Sequence, residues 1–256
     1  MTASSLLFIS ISLAAALSLH AGPAASADIK VLTAGAMKSV VLALQGGFEA
    51  ASGHHLVVDN DTAGGLVRRI EAGEAFDMAI ITPAAIDTLI GKGKMAGGSR
   101  VGIAKVGVGV AVKEGAPKPD LGSVDAFKRA LIAASTIAYI DPASGGSSGI
   151  YVAGLLKKLG IADEIKPKER LQAGGYVAEK VAKGEAEIAI HQISEILPVK
   201  GVVLAGPLPE EIQNYTIYAA GLSATARDAK AAQAWIDYLK SPAASAAIEG
   251  RGMSRP

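Results

Sequence analysis

Hydrophobic and polar positions alternate in blocks along most of the chain, and the blocks have two different periods. Short apolar runs of strand-like composition are separated by segments in which apolar residues return every three or four positions, the spacing of one helix face. The strand-like runs cover residues 29–33, 55–60, 76–81, 104–113, 136–140, 187–190, 202–205 and 215–222. The helical patterns cover residues 38–52, 64–72, 83–91, 123–134, 150–159, 176–183, 227–239 and 242–250.

This alternation of strands and helices predicts an α/β fold in which open, parallel-type sheets are covered by helices. In such sheets ligands bind beyond the carboxyl ends of the strands. The candidate binding loops are therefore residues 34–38, 62–65, 82–83, 144–149 and 191–194. A lobe boundary is expected in the segment 113–119, which contains glycine and proline, and a second crossing near residues 206–209.

The segment from Asp141 to Tyr151 is rich in glycine and serine and joins a strand-like run to a helical pattern. The hydroxyls of Ser147 and Ser148 and the backbone around Gly149 would lie at a helix start, where free N–H groups favour a small anion. Residues 145–149 also match G-x-S-x-G, the nucleophile elbow of α/β hydrolases. That alternative is disfavoured because His191, the last histidine, comes too early for the usual order of a hydrolase triad.

Composition and charge narrow the function further. The 256-residue chain is 50% hydrophobic, which allows a large core, and its net charge is only +1 with 4% aromatic residues. These values predict no nucleic-acid partner. The chain contains no cysteine, which excludes disulfides and thiolate chemistry. Asp59, Asp61 and Asp77 do not form a spaced metal-binding set, so neither a metal nor a cofactor is expected.

The first residues have the features of a secretory signal peptide. Residues 5–19 form a short apolar run, and the small residues at 25–27 suit a cleavage site, although the first four residues carry no Lys or Arg. We therefore expect a cleavable signal peptide over residues 1–27 and a periplasmic mature protein. No later run is apolar enough to predict a membrane span.

Several segments between residues 28 and 250 form a recognisable set: IKVLTAGAM at 29–37, GLVRRIEAG at 65–73, FDMAI at 76–80, DP at 141–142, GIY at 149–151, LKKLG at 156–160 and GEAEI at 184–188. Together these segments resemble the ModA-type (molybdate-binding) class of periplasmic solute-binding proteins. The resemblance implies a type 2 periplasmic binding-protein fold, with two α/β lobes that close over a ligand by a hinge. Residues 28–112 and 206–256 would form lobe 1, and residues 113–205 would form lobe 2.

The binding loops depart from those of molybdate binders at three positions. Where that class places serine hydroxyls this chain has Ala36 and Gly64, and Gln192 stands near the position of a tyrosine. A doubly charged oxyanion needs a hydrogen bond on every oxygen, so the loss of three hydroxyls disfavours molybdate. The loops 62–65, 141–149 and 191–196 look closer to a branch that includes periplasmic aconitate isomerases, which implies a polycarboxylate ligand.

The ligand contacts expected from these loops are Ala36, Met37, Lys38, Gly64, Gly65, Thr82, Ser147, Ser148, Gly149 and Gln192. Lys38, Arg68 and Arg69 are predicted near the starts of the first two helices, where a cation opposes the helix dipole unless it faces an anion. The alternative is an ordinary solvated helix face.

His191 is the candidate catalytic residue because it follows a strand and titrates near neutrality. Aconitate isomerisation is an allylic proton shift that needs one base and no cofactor. The alternative role for His191 is a polar ligand contact or a buried, capped histidine.

We therefore expect a monomeric periplasmic protein that captures a small anionic ligand, such as the polycarboxylate aconitate. It would deliver this ligand to the membrane component of an ABC transporter. The alternative function is an aconitate isomerase on the same scaffold. The sequence leaves open whether the protein is an enzyme and whether Glu195 faces the cleft.

Overall fold

The computed structural model describes residues 26–256, which form nine β-strands and ten α-helices in a largely alternating order. The strands are β1 (Asp28–Ala34), β2 (His55–Asp61), β3 (Met78–Ile81), β4 (Val101–Lys113), β5 (Ile137–Ile140), β6 (Glu169–Gln172), β7 (Ile188–Gln192), β8 (Val202–Pro207) and β9 (Tyr215–Leu222). The helices are α1 (Gly35–Ser52), α2 (Ala63–Glu71), α3 (Pro83–Gly91), α4 (Val124–Ala133), α5 (Ser147–Lys158), α6 (Ala162–Ile165), α7 (Ala178–Ala182), α8 (Ile193–Ile196), α9 (Ala229–Tyr238) and α10 (Pro242–Glu249). Residues 1–25, and with them nearly all of the expected signal peptide, lie outside the described residues.

The nine strands join one mixed sheet in the order β2-β1-β3-β9-β4-β7-β5-β6, with β8 paired to β4. β1 is parallel to β2 and β3, and β5 is parallel to β6 and β7. β4 and β9 run antiparallel to their neighbours. The expected parallel-type sheet is therefore present at both ends but not in the middle, where β4 and β9 carry the chain between the two halves.

β4 is the element that both halves share. Its residues up to Gly107 pair with β9, whereas its residues from Val108 pair with β7 and β8. One hydrophobic core, which includes Phe48 and Trp235, packs on the first half, and another, which includes Phe127, packs on the second. We refer to β1–β3, β9 and their helices as the first lobe, and to β5–β8 and their helices as the second lobe. The exact chain boundaries, 112/113 and 205/206, stay a prediction.

Helix starts in this protein are of two kinds. Four of the helices begin at a Thr, Ser or Asp whose side chain accepts a backbone N–H of the first turn, as Thr62 accepts from Gly65 at 3.0 Å. By contrast, α1 and α5 follow Ala34 and Gly146, which provide no side-chain cap. The first-turn N–H groups of these two helices are consequently available to another partner.

Among the helices formed by residues 26–256, none combines the length and the apolar character needed to cross a membrane.

Candidate functional site

A small cavity lies between the lobes, where β1, β2 and β7 end and α1, α2 and α5 begin. We call it the inner chamber; its volume is about 30 Å³. That is room for about one or two water molecules, so the lobes are closed over it. Its lining residues are Ala34, Gly35, Ala36, Asn60, Asp61, Thr62, Ala63, Ile140, Gly146, Ser147, Ser148, Gly175, His191, Gln192, Glu195 and Tyr218.

A second space of about 200 Å³, the outer chamber, adjoins the inner one. The two chambers share Gly35, Asn60, Gly175 and Glu195 as lining residues. The outer chamber adds Lys38, Gln172, Tyr176 and Glu179. The side chain of Lys38 lies 5.8 Å from the centre of the Tyr176 ring. A ligand larger than the inner chamber would therefore extend past Glu195 towards a cation.

The inner chamber is surrounded by hydrogen-bond donors of the backbone. The uncapped start of α1 contributes Gly35 and Ala36, and the uncapped start of α5 contributes Ser147 and Ser148. Ser148 is only 4% exposed, and its hydroxyl belongs to the same helix start. Two helix N-termini from opposite lobes thus face one cavity, which is the arrangement that favours a bound anion.

His191 and Glu195 form a buried pair in the wall of the inner chamber. His191 lies in β7 and is 1% exposed, and Glu195 lies one turn later in α8 and is 7% exposed. His191 Nε2 lies 3.3 Å from Glu195 Oε2, while Nδ1 of the same ring is buried without a hydrogen-bond partner among the described residues.

Burial favours the uncharged forms of both groups. It lowers the pKa of His191 to about 3. It raises the pKa of Glu195 to about 8. At neutral pH the pair is therefore a neutral imidazole beside a mostly protonated carboxyl group.

The Glu195 carboxyl lies directly against the start of α1. A Cβ atom on Gly35 would lie only 2.5 Å from Glu195 Oε1, so glycine at this position makes the close approach possible. The sequence left the direction of Glu195 open, and the structure places it in the wall that the two chambers share. The four-residue helix α8, which carries Glu195, was not predicted because it is too short to show a helical period.

Tyr218 on β9 adds a hydroxyl that the sequence analysis did not include. The hydroxyl donates to Gln192 Oε1 at 2.8 Å. Burial raises the pKa of Tyr218, so the phenol keeps its proton. Its signal in the sequence was weak, because a tyrosine in an apolar strand pattern is usually a core residue, and Tyr218 does pack in the first core.

Asp61 is a second carboxyl group in the lining, and its charge is compensated locally. It accepts the N–H of Thr62 at 2.7 Å and lies 3.8 Å from Arg69 Nη1. Arg69 in turn donates to Asp59 and Glu74. The Arg69 guanidinium therefore serves carboxylates of its own lobe rather than a ligand.

The two arginines are not at a helix start as the sequence pattern suggested. Arg68 and Arg69 lie in the last turn of α2, where a cation complements the helix dipole, so the expected conflict is absent. Arg68 instead reaches the other lobe and donates to the carbonyl of Ser144 at 3.0 Å.

The structure brings part of the predicted contact set together. Ala36, Ser147, Ser148, His191 and Gln192 line the inner chamber, and Lys38 lines the outer one. Asn60, Thr62 and Glu195 were outside that set and also line the inner chamber.

Other predicted contacts lie elsewhere. The N–H of Gly64 donates to Gly145 O at 3.0 Å, and that of Gly65 to Thr62 Oγ1. Met37 is buried in the first core, Thr82 precedes α3, and Gly149 packs on Ile140. These five residues line neither chamber in the described part of the chain, and the role of the whole set in ligand binding stays a prediction.

The chain belongs to the family of bacterial extracellular solute-binding proteins, whose family model matches residues 29–254. It is 31% identical to an aconitate isomerase of a Pseudomonas species over 231 residues, which cover 88% of this chain and 87% of that protein. It is 29% identical to the molybdate-binding protein ModA of Azotobacter vinelandii over 243 residues, 90% of each chain.

The fold is that of a solved relative. The periplasmic molybdate-binding protein of Azotobacter vinelandii superposes with a TM-score of 0.75 at 20% identity, covering 89% of this chain and 99% of that one. This likeness confirms the predicted two-lobe fold of type 2 periplasmic binding proteins. The family model and the two sequence relatives confirm the predicted ModA-like family.

Proposed function

We propose that the protein captures a small polycarboxylate of the aconitate type in the cleft between its lobes. The observation that carries this proposal is the pair of uncapped helix starts, α1 and α5, which face one cavity from opposite lobes. Together they offer backbone N–H groups and two partial positive charges to an anion. The likeness to an aconitate isomerase adds the class of anion.

The side chains in the cleft favour a carboxylate over molybdate. A protonated Glu195 can donate a hydrogen bond to a carboxylate, and its neutral form does not repel an anion. Ala36, which lines the inner chamber, has no hydroxyl to offer an oxyanion, and Gly64 uses its N–H on Gly145. The Tyr218 hydroxyl donates to Gln192 Oε1, so this hydroxyl is not free for a ligand. A tetrahedral oxyanion would thus lack side-chain donors at Ala36, Gly64 and Tyr218.

A polycarboxylate would need the lobes to open, because the inner chamber alone is too small for it. One carboxylate would lie between the starts of α1 and α5. Another would extend into the outer chamber towards Lys38, whose ammonium group carries the positive charge of that space.

Turnover is the second candidate function, and the His191–Glu195 pair is the observation that favours it. A pure binding protein needs only donors, whereas this cleft holds two ionisable groups 3.3 Å apart with shifted pKa values. Such a pair can accept and return a proton, as the interconversion of cis- and trans-aconitate requires.

As a binding protein, the chain would be exported by its signal peptide and deliver its ligand to an ABC transporter.

Proton NMR of the mature chain, from Asp28, mixed with trans-aconitate in D2O tests both candidates. We expect ligand lines to broaden on addition of protein, and the isomerase candidate adds the appearance of the cis isomer with deuterium incorporated. Calorimetric titration with molybdate is the comparison. Binding of molybdate without any effect on the aconitate spectrum would overturn the proposal.

A further inference from the structure

Glu195 and His191 differ in how accessible they are to a bound ligand. Glu195 lines both chambers, so any ligand that extends from the inner into the outer chamber passes its carboxyl group. His191 lines the inner chamber only and is 1% exposed. Its Nε2 faces Glu195 Oε2, and the other carboxyl oxygen, Oε1, faces the start of α1 at Gly35.

We propose that Glu195 is the catalytic residue that removes and returns the allylic proton of the bound polycarboxylate, and that His191 is a positioning residue behind it. This inference rests on the isomerase candidate described above. It assigns the proton transfer to a residue other than the histidine that the sequence suggests.

The hydrogen bonding of His191 supports the positioning role. Its Nδ1 is buried without a partner among residues 26–256. A buried N–H without a partner is rarer in proteins than a buried acceptor without one, so the proton belongs on Nε2. With its proton on Nε2, 3.3 Å from Glu195 Oε2, the imidazole places a partial positive charge beside Glu195 and stabilises its carboxylate, the form that acts as a base. Because burial holds the imidazole uncharged, it is a poor acceptor for a further proton.

The reaction itself needs no other reagent. The Glu195 carboxylate takes a proton from the methylene carbon of the substrate, and the C–H electron pair becomes a new C=C bond. The pair of the original C=C bond moves to the former vinyl carbon, which takes the proton back from the Glu195 carboxyl group. Helix starts at α1 and α5 stabilise the negative charge that spreads onto the substrate carboxylates meanwhile.

Burial of Glu195 sets the pH at which it works. Its own pKa lies near 8 because of burial, so turnover should rise with pH up to that region. The other ionisable groups that line the two chambers are His191, Asp61 on β2, Lys38 on α1, Tyr176 and Glu179 around α7, and Tyr218 on β9.

The experiment compares five proteins with trans-aconitate: the parent, Glu195→Gln, His191→Phe, His191→Gln and Glu164→Gln. Glu164 is an exposed residue of α6 and provides the matched control for the same substitution. Binding is measured by calorimetry, and isomerisation with deuterium incorporation by proton NMR in D2O across pH 6–9.

We expect Glu195→Gln to bind within about threefold of the parent, because the amide keeps a donor. Its isomerisation should fall by about 100-fold or more. His191→Phe should retain turnover with a pH profile moved to higher pH, because Glu195 loses its donor. His191→Gln, which restores an amide donor near the Nε2 position, should bring the profile back, and Glu164→Gln should behave as the parent does.

The possible failures are distinguishable. A parent protein that does not bind trans-aconitate overturns the proposed function, and one that binds without exchanging deuterium overturns the isomerase candidate. Isomerisation by the parent that survives in Glu195→Gln overturns only the role of Glu195. If isomerisation is lost completely in both His191→Phe and His191→Gln but persists in Glu195→Gln, His191 and not Glu195 transfers the proton.

Discussion

At the scale of single residues, burial of Glu195 couples the stability of the fold to pH. The pKa of Glu195 is about 8 in the folded protein, against an ordinary value of 4.5. Between these values the unfolded chain has lost a proton that the folded protein keeps. The contribution of Glu195 to the free energy of unfolding is therefore fully present below about pH 4.5 and is lost as the pH rises through 8.

The variant Glu195→Gln removes this titration and tests it. The free energy of unfolding of the variant, minus that of the parent, should increase by roughly 1.4 kcal/mol per pH unit between about pH 5 and pH 8. Urea unfolding followed by the fluorescence of Trp235, the single tryptophan, measures both proteins. Glu164→Gln is the control, and its free energy of unfolding should change with pH as that of the parent does. The same pH dependence in Glu195→Gln would contradict the prediction.

The sequence identified those site residues that follow strand ends in long, regular elements. His191 comes after a clear apolar run, and Ser147 and Ser148 precede a clear helical pattern. Glu195 could not be placed because its direction depends on α8, whose four residues carry no period. Tyr218 could not be found because it joins the cavity through pairing of β9 with β4, a long-range contact.

At the scale of elements, Asp77 connects the start of β3 to two distant segments. It is 2% exposed and accepts hydrogen bonds from the N–H of Lys30 on β1 and from the N–H and guanidinium of Arg227, just before α9. Burial raises the pKa of Asp77, but the hydrogen bonds from Arg227 and Lys30 outweigh it and lower the pKa below its ordinary value. The Asp77 carboxylate therefore stabilises the fold at a pH above its pKa in the unfolded chain. This stabilisation is lost as the pH falls through the lower pKa that Asp77 has in the folded protein.

The variant Asp77→Asn should lose about 2 kcal/mol of unfolding free energy at neutral pH, because charge-assisted hydrogen bonds become neutral ones. The difference from the parent should shrink in acid, where Asp77 itself becomes protonated. Thermal and urea unfolding at pH 7 and pH 3 measure this. Asp237→Asn, which removes an exposed carboxylate paired with Lys240, is the control and should change stability by less than about 0.5 kcal/mol. Equal losses in the two variants would contradict the prediction.

Elements with a continuous apolar run or a repeated helical spacing were predictable, including the four-residue strands β3 and β5, whereas short elements without such a pattern were not. The bounds of α3 match the helical pattern at 83–91, and Pro83 at its first position explains why. β6, α6 and α8 have four residues each, too few to show a period. In α2 the helix begins at Ala63, so Arg68 and Arg69 fall in its last turn and not near its start.

At the scale of the whole molecule, the lobes are held together by hydrogen bonds across the cleft. The carbonyl of Ser144 in the second lobe accepts from Thr62 Oγ1 at 2.7 Å and from Arg68. The carbonyl of Gly145 accepts the N–H of Gly64 at 3.0 Å. We refer to these three hydrogen bonds together as the interlobe contact. They adjoin the starts of α2 and α5, so closing of the lobes and assembly of the inner chamber occur together.

Gly64 allows the chain segments of this contact to approach closely, and Gly64→Ala tests its importance. An added Cβ would lie 2.7 Å from the Cα of Gly145, a backbone atom that cannot move alone. Since Gly64 lies in α2 with room for alanine only when the lobes are apart, we expect a stable fold whose lobes close poorly. Affinity for the polycarboxylate should fall about tenfold or more, and small-angle X-ray scattering should show less compaction on adding ligand.

The matched control for closure is Gly154→Ala. Gly154 lies inside α5, and beyond its own stretch of helix no described atom lies within 4 Å of the added Cβ. Alanine there should therefore raise stability by about 0.5–1 kcal/mol through helix propensity. Its affinity and its compaction on ligand addition should equal those of the parent. If Gly64→Ala closed and bound the ligand as the parent does, the prediction would be wrong. Closure of the lobes would then depend on the ligand and not on the interlobe contact.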